Sequence, residues 1–245
     1  SMLADDLKPN RLEHAKLELS RLADHLSNER VGLVLFAGEA LIRCPLTSNY
    51  SYFKTAVRNV GPQSVSQGGT HIGDAIRKSL TDLLGNDLSG QTQDDSPASE
   101  HESVTVEELK SYADILVITD GEDHESYPVH AARLARDLGI GVFAVGLGSA
   151  DGRLIPLASS DSSGYVEYKG QPVKSALDEG LLTKVVTAAG RGRYLPVGTQ
   201  HFDLVDFYEN SIRQGDGREV EQELIVWTEV YQPFLLLGLL LILVA

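Results

Sequence analysis

The sequence predicts an α/β fold, a doubly wound and mostly parallel sheet with helices on both faces. Two observations carry this. Short, near-continuous apolar runs at residues 30–36 (RVGLVLF), 113–119 (ADILVIT) and 140–146 (IGVFAVG) read as strands buried on both faces, as parallel sheets require. Between them lie stretches whose apolar residues recur at helical spacing. No period of 20–50 residues repeats, which excludes a solenoid.

In chain order, residues 10–26 place Leu12, Ala15, Leu19, Leu22, Ala23 and Leu26 on one helical stripe. The strand at 30–36 is followed by a second at 40–46, where Pro45 suggests an edge or an end. Short helices are expected at 50–59 and 72–84, the latter opening after Gly68-Gly69-Thr70-His71. Residues 85–104 are rich in Ser, Asp, Gln and Gly and read as a surface insertion rather than a domain boundary. After the strand at 113–119 come a helix at 130–138 and the strand at 140–146. Residues 154–173 read as a hairpin, with Gly170 supplying a turn. A helix at 177–189, a short strand at 193–197 and an amphipathic helix at 202–213 complete one domain spanning 1–214.

Composition narrows the function. A formal net charge of −14 argues against nucleic acid, which needs clustered Lys and Arg. The single cysteine, Cys44, leaves no internal disulfide framework and no Cys-rich zinc site. Residues 233–245 (PFLLLGLLLILVA) carry no charge. A core helix would show a polar face, so residues 231–245 are expected to begin a transmembrane helix, which needs about 20 apolar residues. Trp227 and Tyr231 suit an interfacial belt, and residues 215–230 form a juxtamembrane segment. Its stretch 219–231 carries no Lys or Arg, which favours a domain outside the cytoplasm under the positive-inside tendency.

A doubly wound sheet holds its ligand outside the carboxyl ends of its strands. Three loops are expected there: Ser1-Met2-Leu3-Ala4-Asp5-Asp6, Gly68-Gly69-Thr70, and Thr119-Asp120-Gly121-Glu122-Asp123. They offer hydroxyls and carboxylates, the hard oxygens that Mg²⁺ and Mn²⁺ prefer. Plainer readings exist for each. Thr70 could cap the helix at 72, and Asp120-Gly121 could be only a turn. Glu122, Asp123 and His124 read as solvated loop residues, His71 as a loop position, and Asp5 and Asp6 as surface charges beside the site. Gly146 and Gly148 lack the third glycine and the helix of a dinucleotide loop.

In this order, Ser1, Thr70 in GGTHIGDAI and Asp120 in VITDGED resemble the von Willebrand factor A (vWA) family. KPNRLEHAK, VGLVLFAGEALIRCPLTSNY, GGTHIGDAI, DGRLIPL and GQPVKSALDEGLL are similar to the Bat-type aerotolerance proteins of bacteria. The resemblance implies a vWA α/β sandwich with a metal-ion-dependent adhesion site (a D-x-S-x-S loop, a distant Thr and a distant Asp). Ser1 matches the last serine of that loop, Thr70 the threonine and Asp120 the aspartate. The preceding Asp and Ser, and the strand leading into them, would lie before residue 1. Also implied are bound Mg²⁺ or Mn²⁺, a protein partner whose acidic side chain completes the metal shell, and residence in the bacterial inner membrane. A MoxR-type AAA+ ATPase and other vWA membrane proteins are the partners expected of the Bat family. Thr70 and Asp120 would sit at a loop surface. The competing readings are a metal-free scaffold and a metal-dependent α/β hydrolase. The hydrolase needs further carboxylates and a cation at the same edge, where Arg43 and Lys8 are nearest in sequence.

Overall fold

The structure, a computed structural model, describes residues 1–66, 68–85, 113–123, 125–156, 164–168 and 170–213. Helix α1 (Arg11–His25) begins where the Asn10 side chain accepts from the Glu13 N–H at 2.8 Å, a side-chain cap of the expected kind. Strands β1 (Val31–Phe36) and β2 (Ala40–Thr47) pair antiparallel, and α2 (Tyr50–Arg58) is capped by Asn49. Helix α3 (Ile72–Lys78) runs on into a π-helical turn (Ser79–Leu83). Then come β3 (Asp114–Thr119), α4 (Pro128–Asp137) and β4 (Gly141–Leu147).

The segment expected to be a hairpin contains two nested antiparallel pairs. Strand β5 (Arg153–Leu154) pairs with β8 (Lys174–Ser175), and β6 (Glu167–Tyr168) with β7 (Gln171–Pro172) around the turn at Gly170. Helix α5 (Glu179–Ala189) follows its Asp178 cap, then β9 (Tyr194–Gly198). Last comes α6 (Leu204–Phe207), which continues as a π-helical turn (Tyr208–Arg213).

Strands β3, β4 and β9 form a parallel sheet with β4 in the middle. All seven residues of β4 are buried, because it alone has a strand on each side and helices above and below. Its side chains alternate between two cores, as strand geometry requires. Val142 and Ala144 join Ile76 of α3, Ala132 of α4 and Leu182 of α5. Phe143, Val145 and Leu147 face Leu22 of α1 and Phe207 of α6.

The first strand departs from its apolar pattern. It reads as buried on both faces, yet β1 is half-buried along its whole length. Among the described residues it pairs only with β2, and this pair is a sheet separate from β3-β4-β9. Between them is a cavity of about 760 Å³ whose walls include every residue of β1 and of β3. A parallel strand edge without a partner exposes unpaired N–H and C=O groups. Among the described residues, no helix is long and apolar enough to cross a membrane. Residues 231–245, the juxtamembrane segment 215–230, residues 86–112 (which take in all but the first residue of the insertion expected at 85–104) and the hairpin residues 157–163 lie outside the described residues.

Residues upstream of Ser1 that add one apolar strand to this cavity are expected to raise the melting temperature of residues 1–213 and sharpen the transition. Circular dichroism melts with and without such an extension check it. Two transitions of equal midpoint and cooperativity would show that the open edges cost nothing.

Candidate functional site

The three parallel strands end together, so the loops after Thr119, Leu147 and Gly198 share one edge of the sheet. Asp120 is the first residue beyond β3. It is 1% exposed, not at a loop surface as expected, and Thr70 at 9% is buried too. Gly121 turns the chain with φ +81°. A Cβ there would lie 2.8 Å from the Asp178 carbonyl oxygen, so the turn half of the plainer reading holds for Gly121. Asp120 does more than start a turn.

Its Oδ2 accepts from the Ser175 hydroxyl at 2.8 Å and from Arg11 Nη1 at 3.3 Å. Its Oδ1 is buried with no hydrogen-bond partner. Asp120, Thr70 and Ser1 are all among the residues that line the cavity between β1 and β3.

The decisive residue missed by the sequence reading is Arg11. Its guanidinium is fully buried and donates Nε and Nη2 to Asp6 at 2.8 and 2.7 Å, and Nη1 to Ser175 Oγ at 2.9 Å. Asp6 is therefore no surface charge, unlike exposed Asp5. Its carboxylate also accepts from the Ser149 N–H at 3.0 Å. Burial works to raise the Asp6 carboxyl, but Arg11 and the Ser149 N–H outweigh it and hold it below the usual carboxylate range. Arg43 and Lys8, the cations nearest in sequence, are exposed. Gly148, with φ +116°, is where Arg11 passes: a Cβ there would stand 2.3 Å from Cζ. The second glycine of the apparent dinucleotide loop makes room for a guanidinium.

Two more expectations are corrected. Thr70 is not the cap of α3; His71 holds that position without a side-chain cap bond. The first amides of α3 are satisfied from another loop, Asp123 Oδ1 accepting from the Ile72 N–H at 2.8 Å and Ser126 Oγ from the Gly73 N–H at 2.7 Å. Asp123 is thus a cross-loop cap rather than a solvated residue, and Glu122 accepts from the Ala176 N–H at 3.0 Å. His71 stays on its loop and pairs with Asp74; His124 lies outside the described residues.

A buried anionic oxygen without a donor is costly to leave unmatched. Asp120 Oδ1, the unmet oxygen of a residue that lines the same cavity as Thr70 and Ser1, fits a hard cation taking oxygen ligands. Among the described residues, no three His, Cys, Asp or Glu side chains converge on a metal-sized site.

Comparison with known proteins gives one coherent answer. The family model described as von Willebrand factor type A domain matches residues 1–122. The crystal structure of BatB from Bacteroides thetaiotaomicron is 31% identical, with a TM-score of 0.71 over 88% of this chain and 93% of that one. An aerotolerance-related membrane protein from Bacteroides fragilis is 28% identical, TM-score 0.69, over 89% and 94%. Bovine matrilin-1 is 31% identical over 169 residues, 66% of this chain, but the chain spans only 28% of the matrilin's length.

The Asp6–Arg11 pair makes a pH prediction. Asp6 is depressed in the fold, so its stabilisation is complete above the range where an unfolded Asp titrates, about pH 4, and is lost as pH falls through the lower folded value. Asp6→Asn is expected to cost about 3–5 kcal/mol at neutral pH, a gap from wild type that narrows as pH falls below about 4, by at most about 1.4 kcal/mol per pH unit. Urea denaturation across that range measures it; a gap independent of pH would show that the carboxylate is not the stabilising group.

Proposed function

This chain belongs to the von Willebrand factor type A family, and on that premise we propose that it is a binding module that captures a protein partner through a divalent-cation site, not an enzyme. The observation that carries this reading is the unpartnered, buried Oδ1 of Asp120, a residue that lines the same cavity as Thr70 and Ser1. Asp120 would supply the anionic ligand, and Thr70 and Ser1 hydroxyl ligands. Mg²⁺ or Mn²⁺ held there supplies an open coordination position for a partner's Asp or Glu carboxylate. The chain's part is to hold few ligands rigidly, with Oδ2 of Asp120 already committed to Ser175 and Arg11.

The wider setting rests on relatedness to the Bat proteins. The Bacteroides fragilis relative is described as a membrane protein. We infer a bacterial inner-membrane protein anchored through residues 231–245, its domain outside the cytoplasm. Its expected partners are a MoxR-type AAA+ ATPase and other vWA membrane proteins, in a stress-tolerance or assembly system. A hydrolase is disfavoured because the cation beside Asp120 is the buried Arg11, already committed to Asp6, Asp120 and Ser175.

In the full-length protein, Thr70→Ala and Asp120→Asn are each expected to weaken Mg²⁺ or Mn²⁺ binding by about tenfold or more, at 1.4 kcal/mol per factor of ten. Both should abolish metal-dependent capture of an acidic peptide. Asp120→Asn is chosen over Ala because removing the side chain would also unpair Arg11. Titration calorimetry, with chelator as the control, decides it. Metal and peptide binding that survive both substitutions would leave Thr70 as cavity lining and Asp120 as an ion-pair partner.

A further inference from the structure

We propose that Ser175, oriented by Arg11, is a positioning residue that sets the metal preference of the Asp120 site; the inference rests on the cation reading above. The geometry is a directed relay. Arg11 Nη1 donates to Ser175 Oγ at 2.9 Å, which leaves the hydroxyl proton to donate to Asp120 Oδ2 at 2.8 Å. Both Arg11 and Ser175 are fully buried, so no water competes for these bonds. The relay commits Oδ2 and leaves Oδ1 as the one oxygen of Asp120 that is buried and unpartnered.

The consequence is chemical selectivity. A carboxylate with one oxygen tied back binds a cation through the other alone. Mg²⁺, with its strict octahedron, accepts single oxygens and retained waters, whereas Ca²⁺ takes six to eight ligands and often both oxygens of a carboxylate. Locking Oδ2 therefore penalises Ca²⁺ more than Mg²⁺. Ser175 reaches Asp120 because β8, which ends on it, is fixed by pairing with β5 at the base of the hairpin. The hairpin stem thus holds the site.

The test is calorimetric titration of the full-length protein with Mg²⁺ and with Ca²⁺, for wild type, Ser175→Ala, Ser175→Thr and Asp120→Asn, with a thermal melt of each. Ser175→Ala is expected to weaken Mg²⁺ binding about tenfold and to shrink the Mg²⁺-over-Ca²⁺ preference, while Ser175→Thr, which keeps the hydroxyl, preserves both. Should Ser175→Ala fail to fold, Arg11→Lys takes its place. It keeps the charge, loses the fork that orients Ser175, and is expected to shift the preference in the same direction. Wild-type Mg²⁺ binding that needs Asp120 but keeps its ion preference in the Ser175 or Arg11 variant overturns this inference and spares the cation reading. A wild-type protein that binds neither ion overturns both.

Discussion

The guanidinium of Arg11, with no solvent exposure, ties this fold together. Burying a charge costs several kcal/mol unless it is paired and its donors are met, and Arg11 meets that condition with Asp6, Asp120 and Ser175. These partners come from the loop before α1, the loop after β3 and the strand closing the hairpin. Gly148, in the loop after β4, must stay small to let the side chain pass. Four segments distant in sequence are thereby pinned to one point at the carboxyl edge of the sheet. The helical stripe of α1 packs that helix on β4; the ion pairs fix where its first turn sits.

The sheet explains why this point suits a ligand. Parallel strands in register deliver their following loops to one edge, and β3 and β4 run in register from Asp114↔Gly141 to Thr119↔Gly146. Asp120 leaves the sheet one residue later and lines the cavity that separates β3 from β1. Thr70, just ahead of α3, lines the same cavity. That helix is held by Asp123 and Ser126, which belong to the loop carrying Asp120. The two loops are bonded to each other, so the spacing of Thr70 and Asp120 is a property of the fold and not of two free loops.

Local patterns made much of this visible in the sequence. Near-continuous apolar runs locate β3 and β4, and helical patterning locates α1 and α5, within a few residues, because their burial follows from neighbours on the same element. What periodicity could not show is burial decided by remote partners. Arg11 reads as the polar start of an amphipathic helix, and its partners Asp120 and Ser175 lie 109 and 164 residues away. Asp123 reads as one more loop acid, yet it caps a helix 51 residues earlier. The burial of β1 was over-read for a related reason: an apolar run shows that a strand can be buried on both faces, not that a neighbour lies along both edges. Thr70, Asp120 and Ser1 are singled out by the order of family motifs and not by periodicity, and all three are among the residues lining one cavity.

An acid recruited only to neutralise Arg11 would be expected to have both oxygens satisfied, since nearly all buried polar groups in folded proteins are. Asp6 fits that pattern: one oxygen takes Nε, the other takes Nη2 and the Ser149 N–H. Asp120 does not. It receives the longer, 3.3 Å contact from Arg11 on Oδ2, shares that oxygen with Ser175, and leaves Oδ1 buried and bare. An unsatisfied buried group costs about 1–3 kcal/mol, more when it is charged. Asp6 already gives Arg11 a two-point counterion, so neutralising the guanidinium does not account for a second buried carboxylate held half-open. A ligand for Oδ1 would account for it, and that unmet oxygen is the ground on which the proposed cation reading rests.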